Sequence, residues 1–258
     1  MELEPIGIYH SDLRFRFETP RQSVFIHNSG VIELKSGKNF ETALEDLDGF
    51  ERIWILFQFH LNQNWKPKVR PPVAPGKERI GVFATRSPHR PNGIGMSCVK
   101  LERIDGLKVY VQDCDLLDGS PVFDIKPYIP AADSFPDSRT GWLERTAPPE
   151  MYDVLILPSA QLKLDFLREN GYDAENFCRV QLGMNPLNPE RKRLYESPEG
   201  MEIGFRTWRI AFGIREKTVE IRDVRSNYQA EELLAGSPDR YGDKDLHRKF
   251  LSNFSGKM

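Results

Sequence analysis

The sequence predicts a mainly β protein, a barrel or strongly curled sheet, followed by a small α+β domain. Three observations predict it. Short β-rich runs recur through residues 6–125 with few helical periods between them, a pattern of curled antiparallel sheets rather than of βαβ arrays. A stretch rich in Pro, Asp and Ser then covers residues 130–150. After it the apolar spacing becomes helical before it alternates again.

The elements follow in order. Ile6-Gly7-Ile8-Tyr9 and Val31-Ile32-Glu33-Leu34 are β runs bounded by turn residues. Phe40, Ala43, Leu44 and Leu47 have helical spacing, with Asn39 as N-cap and Gly49 as stop. Residues 52–59 are apolar on both faces, hence a central strand. A loop with Pro67, Pro71, Pro72 and Pro75 covers residues 62–76, a length that in a compact domain usually signals function or disorder. Strands are expected at 80–84, 95–101, 107–111 and 121–125. Val154-Leu155-Ile156-Leu157 is a further strand, Ser159 caps a helix ending at Gly171, and a second helix spans 174–182. Residues 202–212 alternate as one long strand, with 217–221 returning beside it. The expected domains are 1–133, a linker at 134–151, a small α+β domain at 152–225, and a polar tail at 226–258, partly helical or disordered.

Composition narrows the function. The 258 residues carry a net charge of −2, with 39% hydrophobic and 29% charged residues, a globular but polar balance. No run reaches the ~20 apolar residues of a membrane helix, and the acidic start Met1-Glu2-Leu3-Glu4 does not resemble a signal peptide. Cys98, Cys114 and Cys178 are widely spaced, so a reducing cytoplasm is the expected location and packing their expected role. Among His10, His27, His60, His89 and His247 there is no metal-ligand spacing, and no metal is expected. Gly93-Ile94-Gly95 lacks the third glycine of a dinucleotide loop. Locally the charge is different. Lys66, Lys68, Arg70, Lys77, Arg79, Arg86 and Arg90 are opposed only by Glu78, which fits either a solvated face or a phosphate-facing surface. Arg86 and Arg90, flanked by Pro88 and Pro91, would hold guanidinium forks on a stiff loop, suited to carboxylates and phosphates. A structural pair with a nearby Asp is the alternative. Gly95 permits close backbone approach to a ligand or marks a bulge.

Three blocks carry a family resemblance: Trp54-Ile55-Leu56-Phe57 with Phe59-His60; residues 81–97, GVFATRSPHRPNGIGMS; and residues 118–130, DGSPVFDIKPYIP. With Pro20-Arg21-Gln22 they resemble the TsaA/TrmO methyltransferases in order and spacing, over residues 6–133. The resemblance implies a single-sheeted, barrel-like fold that binds S-adenosylmethionine, forms a homodimer, and methylates N6 of threonylcarbamoyl-adenosine at position 37, beside the anticodon of threonine tRNA. It further implies a C-terminal domain that engages tRNA. Two departures stand out: Gly93 replaces a proline common in the family, and Asn185-Pro186-Leu187-Asn188-Pro189 stands where an Asp-Pro-Arg-Pro stretch is expected.

By that resemblance the cofactor contacts are Pro20, Arg21, Gln22, His60, Leu61, Arg86, Cys98, Cys114, Asp115, Leu116, Leu117 and Asp118. At Cys98 and Cys114 they would be backbone contacts. Asp124, Lys126 and Tyr128 alternate along one strand face and are the candidate catalytic set, Asp124 accepting the N6 proton while Lys126 or Tyr128 orients the base. An Asp–Lys pair that merely holds the strand is the competing reading. Arg90, Asn92, Arg191, Lys192 and Arg193 are the candidate tRNA contacts. Phe205 and Trp208 read as core residues before stacking platforms. A different RNA or small-molecule acceptor, and a non-catalytic RNA-binding module, are the alternative functions.

Overall fold

A computed structural model describes residues 3–15, 18, 28–74, 76, 78–189, 192–198 and 200–254. The chain divides into two compact units, Met1–Pro148 and Pro149–Met258, described separately.

The first unit opens with β1 (Gly7–His10) and β2 (Ser29–Leu34), a single-turn helix α1 (Phe40–Ala43), and β3 (Arg52–Gln58). Within the proline-rich loop the two-residue strands β4 (Lys68–Val69) and β5 (Ile80–Gly81) pair with each other. Then come β6 (Ile94–Asp105), β7 (Lys108–Gln112), β8 (Ser120–Pro127) and a short helix α2 (Pro130–Asp133). The long strands close a barrel in the order β1-β2-β7-β6-β3-β8, with antiparallel pairing throughout. The expected barrel is therefore present.

Alternation explains the closure. Ile53, Ile55, Phe57, Val99, Leu101, Val109, Val111 and Val122 point inward and are buried, joined by Tyr9 and Ile32. Two glycines make room for the largest rings. A Cβ on Gly30 would lie 2.2 Å from the Tyr9 hydroxyl, and one on Gly95 2.4 Å from the Phe57 ring. Gly95 is thus a packing requirement of the barrel rather than a ligand approach. The Tyr9 hydroxyl is buried without a hydrogen-bond partner among the described residues, and its pKa is raised by desolvation.

Several local expectations are corrected. The helix from Asn39 shrinks to one turn plus a 3-10 turn at Leu47–Gly49. Asn39 has φ 58° and caps no backbone amide; its side chain accepts from the Thr42 hydroxyl instead. The strand at 80–84 ends at Gly81, and Val82–Ala84 form a 3-10 turn. Residues 141–145, expected within the linker, form another 3-10 turn (Gly141–Arg145) fastened to the first unit.

The second unit contains β9 (Asp153–Ile156), helices α3 (Pro158–Glu169) and α4 (Ala174–Leu182), β10 (Leu194–Ser197), β11 (Gly200–Phe205), β12 (Trp208–Arg215), β13 (Thr218–Ser226) and helix α5 (Lys244–Phe254). Its sheet has the order β10-β11-β12-β13-β9. Ser159 does not cap α3: Pro158 starts the helix, and the Ser159 hydroxyl donates to the Arg222 carbonyl. Asp173 caps α4, accepting from the Asn176 amide at 3.0 Å. The single strand expected at 202–212 is a hairpin, folded at Arg206-Thr207 with Arg206 at φ 50°. The tail contains an ordered amphipathic helix, α5, whose Phe250 joins the core formed by Leu164, Leu167, Phe177, Trp208 and Ile210.

A buried polar network fastens α5. The His247 ring stacks on Trp208 at 3.7 Å; its Nδ1 lies 2.7 Å from the Ser226 hydroxyl and its Nε2 3.0 Å from the Thr207 hydroxyl. Thr207 and Tyr228 both donate to Asp243, at 2.5 and 2.8 Å. Burial holds His247 below its ordinary 6.5, although Asp243 alone would favour the charged ring. The unfolded chain therefore takes up a proton near pH 6.5 that the folded unit refuses, and stability is lost as pH falls below that value. The expected loss is about 1.4 kcal/mol per pH unit below pH 6. Chemical denaturation followed by circular dichroism between pH 7 and pH 5 measures it. His247→Gln should reduce the slope by one proton, and an unchanged slope would refute the assignment.

Candidate active site

The loop after β7 crosses one mouth of the barrel and organises the site. Strand pairing sets its path: β6 meets β7 only from Lys100 onward, while its earlier residues pair with β3. Residues 113–119 must therefore traverse from Gln112 to Ser120. Cys114 and Leu116 point into the core and are fully buried. Asn28 clamps the loop through both amide atoms, Oδ1 accepting from the Cys114 amide and Nδ2 donating to its carbonyl, each at 2.9 Å. Burial pushes the Cys114 thiol up to about 12, so it is a packing residue, as expected. Cys98 is half-buried with its thiol also raised by burial.

At one end of this loop lies a polar cluster. Asp118 accepts from the Ser11 amide at 3.1 Å and sits 3.6 Å from His10 Nδ1. His60 Nδ1 is 3.3 Å from the Ser120 hydroxyl, and desolvation lowers the ring's pKa. Leu61 beside it is exposed. Mid-loop, the Asp115 carboxylate is partly buried and accepts from the Ser97 hydroxyl at 2.5 Å. Desolvation raises its pKa, opposed by that hydrogen bond and by the positive charge of Arg86.

Arg86 stands on the proline-stiffened loop. Its guanidinium is exposed and makes no hydrogen bond or ion pair among the described residues. Arg90 is different: its Nη1 donates to the Val82 and Thr85 carbonyls at 3.2 and 2.8 Å, and the group lies over the Phe83 ring. Arg90 therefore braces the loop that presents Arg86. Asn92 is exposed at the following turn. The turn at Gly141–Arg145 adds a second brace. Trp142 Nε1 donates to the Ala84 carbonyl at 2.7 Å, and Arg145 pairs with Glu78 at 3.1 Å. Sequence reading did not single out Trp142.

The other end of the crossing loop meets the outer face of β3 and β8. Arg52 Nη2 is 4.0 Å from Asp113, and the Arg52 carbonyl accepts from the Tyr128 amide. Tyr128 packs edge-on against Trp54, whose indole donates to Asp133. Asp124 and Lys126 form an exposed ion pair at 2.7 Å. The three candidate catalytic residues thus share this face, but Lys126 and Tyr128 lie six and eight residues along the chain from Ser120, on the order of 20 Å or more at ~3.3 Å per residue. Within one chain they flank Asp113 rather than His60. Arg52 and Asp113, missed in the sequence, carried no motif of their own.

In the second unit Lys192 Nζ donates to the Met184 and Asn185 carbonyls at 2.8 and 2.6 Å. It ties the start of the 185–189 loop to β10's approach. Arg193 is exposed. Phe205 and Trp208 are core residues, as expected. Pro20, Arg21, Gln22 and Arg191 lie outside the described residues. No group of three or more His, Cys, Asp or Glu residues able to hold a metal ion occurs among the described residues, and no helix of theirs is long and apolar enough to cross a membrane.

Comparison with known proteins joins this geometry to a family. Residues 8–134 match the tRNA-methyltransferase O N-terminal domain. A tRNA (adenine(37)-N6)-methyltransferase of Escherichia coli is 34% identical over 228 residues, covering 85% of this chain and 94% of that protein. The chain belongs to the TrmO family. A crystal structure of TrmO from Pseudomonas aeruginosa superposes with a TM-score of 0.65 at 30% identity, covering 88% of this chain and 98% of that one. A tRNA (adenine(37)-N6)-methyltransferase of Mus musculus is 46% identical over 136 residues, 51% of this chain and 31% of its own. The family match spans the whole barrel, β1 through β8, together with the loop that holds Arg86.

The Trp142 brace has a measurable consequence. Trp142→Phe keeps the ring and removes the donor, so the Ala84-Thr85-Arg86 backbone loses one hydrogen bond of about 1 kcal/mol. Amide hydrogen exchange of Thr85, whose N–H donates to the Val82 carbonyl, should quicken roughly fivefold. Unchanged exchange would show that the turn at Gly141–Arg145 does not secure the loop.

Proposed function

We propose that the protein transfers a methyl group from S-adenosylmethionine to N6 of adenosine 37 in tRNA, with threonylcarbamoyl-adenosine of threonine tRNA as the acceptor and the anticodon loop as the docking segment. One observation carries the reading. The Arg86 guanidinium, with no hydrogen bond or ion pair among the described residues, stands within electrostatic reach of a partly buried carboxylate, Asp115, at the mouth of a closed barrel. S-adenosylmethionine has a carboxylate at one end and a positive sulfonium near its centre, and this pair of charges is complementary to both. The relatives named above, two of them tRNA (adenine(37)-N6)-methyltransferases, support the same reaction.

The residues present fit the cofactor. Arg86 would hold the methionine carboxylate, and the backbone of the 114–118 loop would line the nucleoside, with His60 and Leu61 bordering it. Pro20, Arg21 and Gln22 are assigned to the same site through the family. Bound there, the cofactor supplies an electrophilic methyl carbon. The chain's part is positioning, because displacement at a sulfonium depends mainly on alignment.

The acceptor sets a second demand. N6 of threonylcarbamoyl-adenosine bears one hydrogen and is a weakly nucleophilic urea nitrogen, so that proton must leave as the carbon–nitrogen bond forms. Asp124 is the proposed acceptor, with Lys126 setting its orientation through their ion pair and Tyr128 bordering the base. A second copy of the chain would bring this face to the cofactor mouth. The exposed apolar residues Met96 (56%), Ile129 (46%) and Phe135 (69%) beside it support a homodimer. Asn92 and Arg193 remain the proposed tRNA contacts from the sequence. Cytoplasmic location agrees with the substrate.

Tritium transfer from labelled S-adenosylmethionine into tRNA tests the reading. Label should enter only tRNA that carries threonylcarbamoyl-adenosine; label in unmodified tRNA would instead assign a plain adenosine acceptor. Asp124→Asn should lower kcat by about a hundredfold or more while calorimetry shows undiminished cofactor binding. Turnover at the native rate would remove Asp124 from the mechanism.

A further inference from the structure

Phe83 is the most exposed large apolar residue among the described residues, at 75%. A single exposed phenyl needs no explanation by itself, since much of any protein surface is apolar. Three observations set this one apart.

The first is the rigidity of its mounting. The turn Val82–Ala84 buries Val82 and turns Phe83 outward, and hydrogen bonds fasten it on both sides of the ring. The Val82 amide donates to the Pro67 carbonyl at 3.0 Å, and the Val82 carbonyl accepts from the Thr85 amide, the Thr85 hydroxyl and Arg90. The Ala84 carbonyl accepts from Trp142. The Arg90 guanidinium lies over the ring, 5.7 Å from its centroid. A ring held this way loses little freedom when something stacks on it. The second observation is a neighbouring aromatic. Trp65 is 53% exposed, and its segment is stitched to the same loop, the Lys66 amide donating to the His89 carbonyl at 3.1 Å and His89 Nδ1 lying 3.2 Å from the Asn64 carbonyl. The third is charge. Lys66, Lys68, Arg79 and Arg86 are exposed around these rings. Between residues 62 and 97 the only carboxylate is Glu78, which pairs with Arg145.

Flat apolar faces among cations suit a ligand that is flat, apolar and negatively charged at once, which describes an unpaired strand of nucleic acid. We propose that the Phe83 ring stacks on the base next to the acceptor adenosine, filling the gap left when that adenosine is drawn out of the stack to reach the cofactor. The inference rests on the tRNA reading above and adds the residue that holds the opened strand. Enzymes that act on a base remove it from its stack and so leave a neighbour without a partner, and an inserted apolar side chain can take the vacated place. Position fits this role. Phe83 is three residues from Arg86, at most ~11 Å of chain, or about three nucleotides at ~3.4 Å each. The stacked base therefore lies close to the one being methylated.

The test measures binding of tRNA carrying threonylcarbamoyl-adenosine by fluorescence anisotropy over a series of salt concentrations. Phe83→Leu keeps an apolar side chain and removes the flat face; Phe83→Tyr keeps the face. The leucine variant should bind about tenfold more weakly with the native log–log salt slope, because no phosphate contact is lost. The tyrosine variant should bind as the native chain does. Removing the base on either side of the acceptor in turn, as an abasic site, completes the cycle. At one of the two positions the native chain should lose affinity by a similar factor, and Phe83→Leu should then cost nothing more. Losses that multiply at both positions, or native affinity in the leucine variant, would overturn the inference and leave the tRNA reading standing. So would weakened S-adenosylmethionine binding by calorimetry, which would assign the ring to the cofactor, or a changed sedimentation coefficient, which would assign it to a contact between copies. A native chain that binds no tRNA would overturn both.

Discussion

The rest of the structure depends on the closure of a narrow six-stranded barrel whose interior is lined by packed apolar side chains. Tyr9 and Phe57 occupy space left by the missing Cβ atoms of Gly30 and Gly95, and ten or so aliphatic side chains fill the remainder. In a small barrel filled by its own side chains, chemistry belongs to the loops at a mouth or to the outer wall. The stagger of β6 against β7 forces the 113–119 connection across that mouth. One loop therefore touches both places: Asp118 and Ser120 stand beside His10 and His60, while Asp113 reaches Arg52 on the outer wall.

Much of the barrel was legible because its strands alternate cleanly and are separated by turn residues. The hairpin of the second unit was not recognised, although its signal was present. Apolar residues fall at 203 and 205, then at 208, 210 and 212. That change of parity cannot occur in one regular strand, and it marks the two-residue turn at Arg206-Thr207. No Gly, Asn or Pro announces the turn, because a non-glycine residue, Arg206, adopts the left-handed conformation. Helix α5 was obscured differently. Its buried face contains Lys244 and His247, which composition assigns to solvent. Only partners in three dimensions offset that burial: the Glu232 carbonyl for Lys244, and Asp243, Ser226, Thr207 and Trp208 for His247.

The candidate site divides along a similar line. The block at 81–97 singled out the Arg86 loop, and the fold places it where an anion could be received. Residue type alone could not distinguish Arg86 from Arg90, two arginines four positions apart on one proline-bearing loop. Their difference lies in the backbone: the 3-10 turn at Val82–Ala84 directs two carbonyls toward Arg90, and Arg86 is left facing solvent. Lys192 is an equivalent case, a cation within a basic run whose ammonium two carbonyls hold. Local sequence shows where positive charge is concentrated. It does not show which charges the backbone has already engaged.

This distinction also explains how a protein of net charge −2 can address a polyanion. Global charge would weakly repel RNA at long range, but at physiological salt that repulsion is screened within about 8 Å. What remains is the arrangement of arginines lacking a carboxylate of their own. Arg86 stands without one in the first unit. In the second, by contrast, Arg225 is taken bidentately by Glu202. The many exposed ion pairs elsewhere, such as Arg145–Glu78 and Lys217–Glu150, neutralise the remaining surface. Attraction for a phosphate depends on the geometry of such positions more than on total charge.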